Sequence, residues 1–98
     1  MDDYYLLSFV NAHSAMKAQT LLDNRIAFLV IPTPMSISGS CGISLKIAPR
    51  DWPELLKAAQ SGLLDSCDPR YWAAQGSGPF AEYDRVDING EENGQNQN

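Results

Sequence analysis

The chain has 98 residues, a mass of 10.8 kDa and a formal charge of -5, from 7 Lys and Arg against 12 Asp and Glu. Hydrophobic residues make up 44% of it, which is enough for one core, whereas either half alone buries too little surface to fold. An acidic surface repels nucleic-acid phosphates and anionic lipids, and no apolar run approaches the ~20 residues of a membrane span. The acidic N-terminus is unlike a secretory signal. We therefore expect one cytoplasmic domain that binds neither nucleic acid nor membrane.

The N-terminal half predicts a strand, a helix and two further strands. Residues 4–10 are β-rich and apolar on both faces, as in a central strand. Asn11 can cap the helix that follows, and Asn24 suits the left-handed position that ends a helix. Residues 26–31 predict a second strand. Residues 42–48 alternate apolar and polar side chains, which predicts a half-buried third strand.

The C-terminal half predicts a second helix, a short third helix and an edge strand. Asp51 and Glu54 have the spacing of a capping box at the start of the second helix. Residues 69–75 predict a short helix, because Asp68 can cap it and proline is favoured at a first helical position. Residues 80–86 mix a few apolar residues with charges, which is typical of a strand at the edge of a sheet.

This order of elements fits an α+β, ferredoxin-like β-α-β-β-α-β sandwich. We expect an antiparallel sheet in the strand order 4-1-3-2, with two helices on one face. We expect the domain to comprise residues 1–87 and residues 88–98 to form a disordered polar tail. In this topology the connections 10–13, 32–41 and 62–79 meet at one end of the sheet. The single histidine and both cysteines lie in or beside these connections, so we expect a functional site there.

The connection 32–41 carries the candidate site. It is about ten residues long, whereas most hairpin loops have ~2–5, and longer loops tend to be functional. Cys41 lies where the loop enters the third strand, and Gly39 and Gly42 allow a backbone nest of N–H groups that favours a thiolate. The loop's hydroxyl donors are Ser36, Ser38 and Ser40. The alternative is that Cys41 is a small buried hydrophobe at the start of a strand.

Two motifs in this region identify a family resemblance. They are Pro-Thr-Pro at 32–34 and Ile-Ser-Gly-Ser-Cys-Gly at 37–42. With these motifs, residues 4–60 resemble the selenium/sulfur carrier protein-like family of short bacterial proteins. The resemblance implies that Cys41 holds sulfur or selenium, as a persulfide or selenopersulfide, between a donor and an acceptor protein. Such a protein is a thiol carrier rather than a true enzyme, and its chemistry requires no bound cofactor.

His13 and Cys67 are auxiliary candidates. His13, in the first turn of the first helix, can act as a base for Cys41 or can be a solvated residue on the polar side of that helix. Cys67 can resolve an oxidised Cys41 or can be purely structural. One histidine and two scattered cysteines give too few ligands for a metal site, so none is expected.

Two other functions stay open from the sequence. The first is a non-catalytic ferredoxin-like module that binds a partner or small ligand, with a structural Cys41. The second is a thiol sensor that uses Cys41 and Cys67. In addition, the sheet face that carries no helix has apolar residues in its first two strands, so we expect it to pair with a second copy, giving a homodimer, or with another protein.

Overall fold

A computed structural model describes residues 3–37, 39–76 and 80–88 of the chain. Short 3-10 turns at Pro49–Asp51 and Asp65–Cys67 precede and follow the second helix. The helices and strands, in chain order, are β1 (Tyr4–Ser8), α1 (Ala12–Leu22), β2 (Leu29–Pro32), β3 (Ile43–Ile47), α2 (Trp52–Gln60), β4 (Arg70–Gln75) and β5 (Glu82–Val86).

The five strands form one antiparallel sheet in the order β2-β3-β1-β4-β5. β1 is central and is paired on both sides, with Leu7 opposite Leu45 of β3 and opposite Tyr71 of β4. Read from β4, the first four strands have the order 4-1-3-2, but the strand beside β1 is Arg70–Gln75 and not the predicted fourth strand at 80–86. The predicted α+β, ferredoxin-like sandwich is therefore confirmed, with a fifth strand added at the edge.

Residues 69–75 are where the structure departs most from the sequence prediction. The predicted short helix is wrong, because Arg70–Gln75 is the strand β4. Asp68 takes a left-handed φ of +48°, so the Asp-Pro pair redirects the chain into the sheet instead of starting a helix. A helix of this length is marginal by itself, whereas β4 gains partners on both sides. The predicted strand at 80–86 is present as β5, at the edge as expected.

The two helices begin differently. The Asn11 side chain accepts a hydrogen bond from the Ser14 amide at 2.8 Å, as predicted for the cap of α1. Asn24 has a φ of +67° just after α1, so its predicted left-handed conformation is also present. The predicted capping box of α2 is not formed, because Asp51 already has helical dihedrals in the preceding 3-10 turn and its side chain makes no cap hydrogen bond.

The core lies between the sheet and the two helices. Buried residues of β1, β3, α1 and α2 form it together, among them Leu7, Leu22, Leu45 and Leu55, each fully buried. Ile88 is also buried, and its carbonyl accepts a hydrogen bond from the Gln60 side chain at 2.9 Å. Ile88, the first residue of the predicted tail, is thus in contact with α2, and the domain boundary at 87 stays a prediction. The remainder of the predicted tail, 89–98, lies outside the described residues.

Ionisation of Tyr71 makes the stability of the folded state depend on pH. Its ring is buried and meets the Trp52 ring edge-on, with 6.3 Å between the ring centroids. Burial first, and then the nearby charges of Asp65, Cys67 and Asp68, raise the pKa of Tyr71. The unfolded phenol ionises near pH ~10 while the folded one stays protonated, so this contribution to stability is complete below that pH and is lost above it.

We therefore predict that the free energy of unfolding falls as the pH rises above ~10. Tyr71→Phe removes the ionisable group and should flatten that fall. Urea denaturation of both proteins at a series of alkaline pH values measures the effect. The same pH dependence in both proteins would show that Tyr71 does not contribute.

Candidate functional site

Three connections meet at one end of the sheet, as the topology predicted. Ser8 at the end of β1 is opposite Ser44 of β3 and Arg70 of β4, so the segments beside these residues share that end. The predicted connection 62–79 is shorter than expected, because β4 begins at Arg70 and runs away from this end. Cys67 lies in the part that remains.

The loop 33–42 between β2 and β3 is held at its base. The Thr33 amide donates to the Gly42 carbonyl at 3.0 Å, and the Thr33 and Ser44 hydroxyls share a hydrogen bond of 2.6 Å. Farther along the loop, the Ile37 side chain is buried at 6% exposure. One hydrogen bond therefore closes the base of the loop, a second joins the loop to β3, and one apolar side chain fixes it to the protein interior.

Cys41 has a fixed backbone and a partly exposed side chain. Its amide donates to the carbonyl of Phe9, just after β1, with an N···O distance of 2.6 Å. Its thiol donates to the Ile43 carbonyl at 3.4 Å. The cysteine is free and packs against the rim of the core without being enclosed by it. The end of the central strand thus determines where this sulfur lies.

The other loop residues predicted for the site differ in backbone conformation and in burial. Gly39 has the left-handed φ of +76° that the sequence suggested, whereas Gly42 does not have a positive φ. Ser36 is exposed, and Ser38 lies outside the described residues. The Ser40 hydroxyl is buried and has no hydrogen-bond partner among the described residues. A buried hydroxyl without a hydrogen-bond partner lowers the stability of the folded state. Ser40, next to Cys41 in the chain, is therefore a residue whose role in the loop needs an explanation.

The structure gives no support to His13 as a base for Cys41. His13 is exposed near the start of α1, and no hydrogen bond joins it to Cys41 in the described part of the chain. The described residues also contain no group of three or more potential metal-ligating side chains.

Cys67 differs from Cys41 in its surroundings. It is 1% exposed, in the 3-10 turn after α2, and belongs to the hydrophobic core. Burial raises the pKa of its thiol, and this effect outweighs the opposing influence of a hydrogen bond with Ser66 and of the Lys17 charge. The protonated thiol is a poor nucleophile, so the fold leaves Cys41 as the better placed of the two sulfurs.

Sequence reasoning missed the part that Phe9 and Thr33 have in this site. Phe9 acts through its backbone carbonyl and Thr33 through contacts across the loop base. Every residue has a backbone carbonyl, so the residue type at position 9 does not show that this carbonyl accepts a hydrogen bond from the loop. Thr33 lies inside the Pro-Thr-Pro motif, and its polar side chain between two prolines was a usable signal.

The chain matches a known protein family. The family model described as "Putative Se/S carrier protein-like" matches residues 4–65, more than half of the chain, and this range includes the loop and Cys41 but not Cys67. No match was found among curated proteins or among solved structures. Neither helix in the described ranges is long and apolar enough to cross a membrane.

The contrast between the two thiols predicts an order of alkylation. With iodoacetamide under native conditions near neutral pH, Cys41 should be modified first, because only it is partly exposed. Cys67 should react on unfolding, or slowly as the pH rises, since its raised pKa keeps it protonated at neutral pH. Mass spectrometry of the Cys41→Ser and Cys67→Ser variants assigns each modification. Faster modification of Cys67 than of Cys41 would contradict the described burial.

Proposed function

The chain belongs to the Se/S carrier protein-like family, and from this membership we propose that it carries sulfur or selenium on Cys41 as a persulfide or selenopersulfide. Donor and acceptor proteins load and unload this cysteine. The observation that carries the proposal is the contrast between a partly exposed Cys41 in the family-matched segment and a core-buried Cys67 outside it. We place the carrier in the cytoplasm, where thiols are kept reduced.

The loading step is a thiol exchange. The Cys41 thiolate attacks the terminal sulfur of a donor persulfide, and a new S–S bond forms to Cys41. The donor's own S–S bond breaks, and the donor leaves as a thiolate. Charge and electrons balance without an external oxidant or reductant, and the same scheme applies with selenium as the terminal atom. Delivery repeats the step, with an acceptor nucleophile attacking the terminal atom on Cys41.

The loop has properties that suit this exchange. The hydrogen bond from the Cys41 amide to Phe9 fixes the backbone, so the cysteine needs little reordering when a partner docks. In the proposal, the buried Ser40 hydroxyl donates to the terminal sulfur or selenium. This supplies the partner that Ser40 lacks among the described residues.

The alternative function is a binding module in which Cys41 is structural. The hydrogen bond from the thiol to the Ile43 carbonyl, at 3.4 Å, and the packing against the core favour that alternative. A sensor that joins Cys41 to Cys67 is less well supported, since Cys67 would first have to leave the core.

The test is a loading reaction with a cysteine desulfurase and free cysteine, followed by intact mass under non-reducing conditions. We predict that the protein gains the mass of one sulfur atom, because the Cys41 thiolate accepts the donor's terminal sulfur. A reducing thiol should reverse the gain and release sulfide.

Cys67→Ser is the matched control and should load like the parent, whereas Cys41→Ser should not load. Ser40→Ala should load but retain the sulfur for a shorter time. A gain that persists in Cys41→Ser, or no gain with the parent, would reject the carrier proposal, and the second outcome would leave the binding module as the better explanation.

A further inference from the structure

The sheet has a second face, opposite the helices, which we call the open face. Side chains alternate between the faces of a strand, so Leu7 points toward the helices while its neighbour Leu6 points away. Lys46, Trp72 and Arg85 lie on the same side as Leu6, because Leu6 is opposite Lys46 and Trp72, and Trp72 is opposite Arg85. These four residues form one row across β3, β1, β4 and β5.

The charge of the open face is opposite to that of the whole protein. Its charged strand residues are Lys46, Arg70 and Arg85, whereas the carboxylates of β5, Glu82 and Asp84, alternate to the other side. The ion pair within 4.0 Å that joins Arg50 to Asp51 in the described ranges includes none of these three cations. A chain with a net charge of -5 thus has a cationic surface here.

The cations on the open face are positioned by aromatic rings. The Lys46 ammonium lies 4.6 Å from the centroid of the Tyr4 ring, and the Arg85 guanidinium lies 5.3 Å from the centroid of the Trp72 ring. Tyr4 in turn shares a hydroxyl hydrogen bond of 2.6 Å with Tyr83. Contacts of this kind hold long side chains in place before a partner arrives, which lowers the entropy lost on binding.

Trp72 is also fixed by a hydrogen bond. Its indole N–H donates to the Ser8 hydroxyl of β1 at 2.9 Å. Leu6, which lies opposite Trp72 in β1, is fully buried. The row is therefore a layer of interlocked side chains. Trp, Tyr and Arg are the residue types that dominate the binding energy of protein interfaces.

We propose that the open face docks an acidic segment of a partner protein. Its three strand cations, together with the position of the β5 carboxylates on the other side of the sheet, give the charge complementarity for such a partner. The face includes neither cysteine, so this inference goes beyond the carrier function and does not depend on it.

Two other occupants fit the face less well. Single-stranded nucleic acid needs free ring faces on which bases stack, but Tyr4 and Trp72 are already in contact with Lys46 and Arg85. A twofold dimer that joins two open faces brings the same three cations of each copy together, and like charges repel. That repulsion argues against the homodimer expected from the sequence and favours an acidic partner.

A titration of the full-length, nitrogen-15-labelled chain tests the proposal. The probe is a synthetic peptide of alternating glutamate and alanine, and the matched probe has glutamine in place of glutamate. We expect the acidic probe to shift the Trp72 indole signal and the amides of Lys46 and Arg85, with an affinity that falls as salt rises. The glutamine probe should not shift them.

Two double variants with the same net charge provide the control. Lys46→Glu with Arg85→Glu should weaken binding ~tenfold or more, because both cations lie in the proposed interface. Lys17→Glu with Lys57→Glu, at exposed helix positions, should leave the affinity within ~twofold. The proposal is overturned if both variants bind the acidic peptide equally weakly, or if the peptide shifts no signals of the open face. It is also overturned if oligouridine binds more tightly than the acidic peptide, or if sedimentation gives the free protein a doubled mass.

Discussion

The hydrogen bond from the Cys41 amide to the Phe9 carbonyl joins the loop before β3 to the end of the central strand. Phe9 is fully buried, and β1 before it is paired on both sides, so the acceptor is part of the most constrained region of the fold. The position of Cys41 is thereby set by core packing and not by the loop alone. A loop of Ser, Gly and Pro can in this way present a cysteine at a defined place.

The alternation of side chains in the sheet separates two further roles. Residues that point toward the helices, such as Leu7 and Leu45, build the core. Residues that point away form the cationic and aromatic open face around Trp72. The loop at the sheet end is continuous with this face through the hydrogen bond between Thr33 and Ser44. The proposed cargo site at Cys41 and the proposed docking face therefore occupy adjoining parts of one small domain.

Local signals in the sequence predicted the fold where they agreed with the final pairing. The cap at Asn11, the central strand at β1 and the long loop before Cys41 followed from residue type and spacing. The helix predicted at 69–75 was wrong because local proline chemistry was outweighed by pairing with β1, a partner more than sixty residues away. The contact of Lys46 with the Tyr4 ring likewise depends on strand register, which no local pattern encodes.

The most direct test of this account is the hydrogen exchange of the Cys41 amide, followed by NMR in the native protein. If the hydrogen bond to Phe9 anchors the site, this amide should exchange as slowly as the amides of β1, and far more slowly than that of the fully exposed Met35. Exchange of Cys41 at the rate of Met35 would contradict the account, because the sulfur would then not be held by the core.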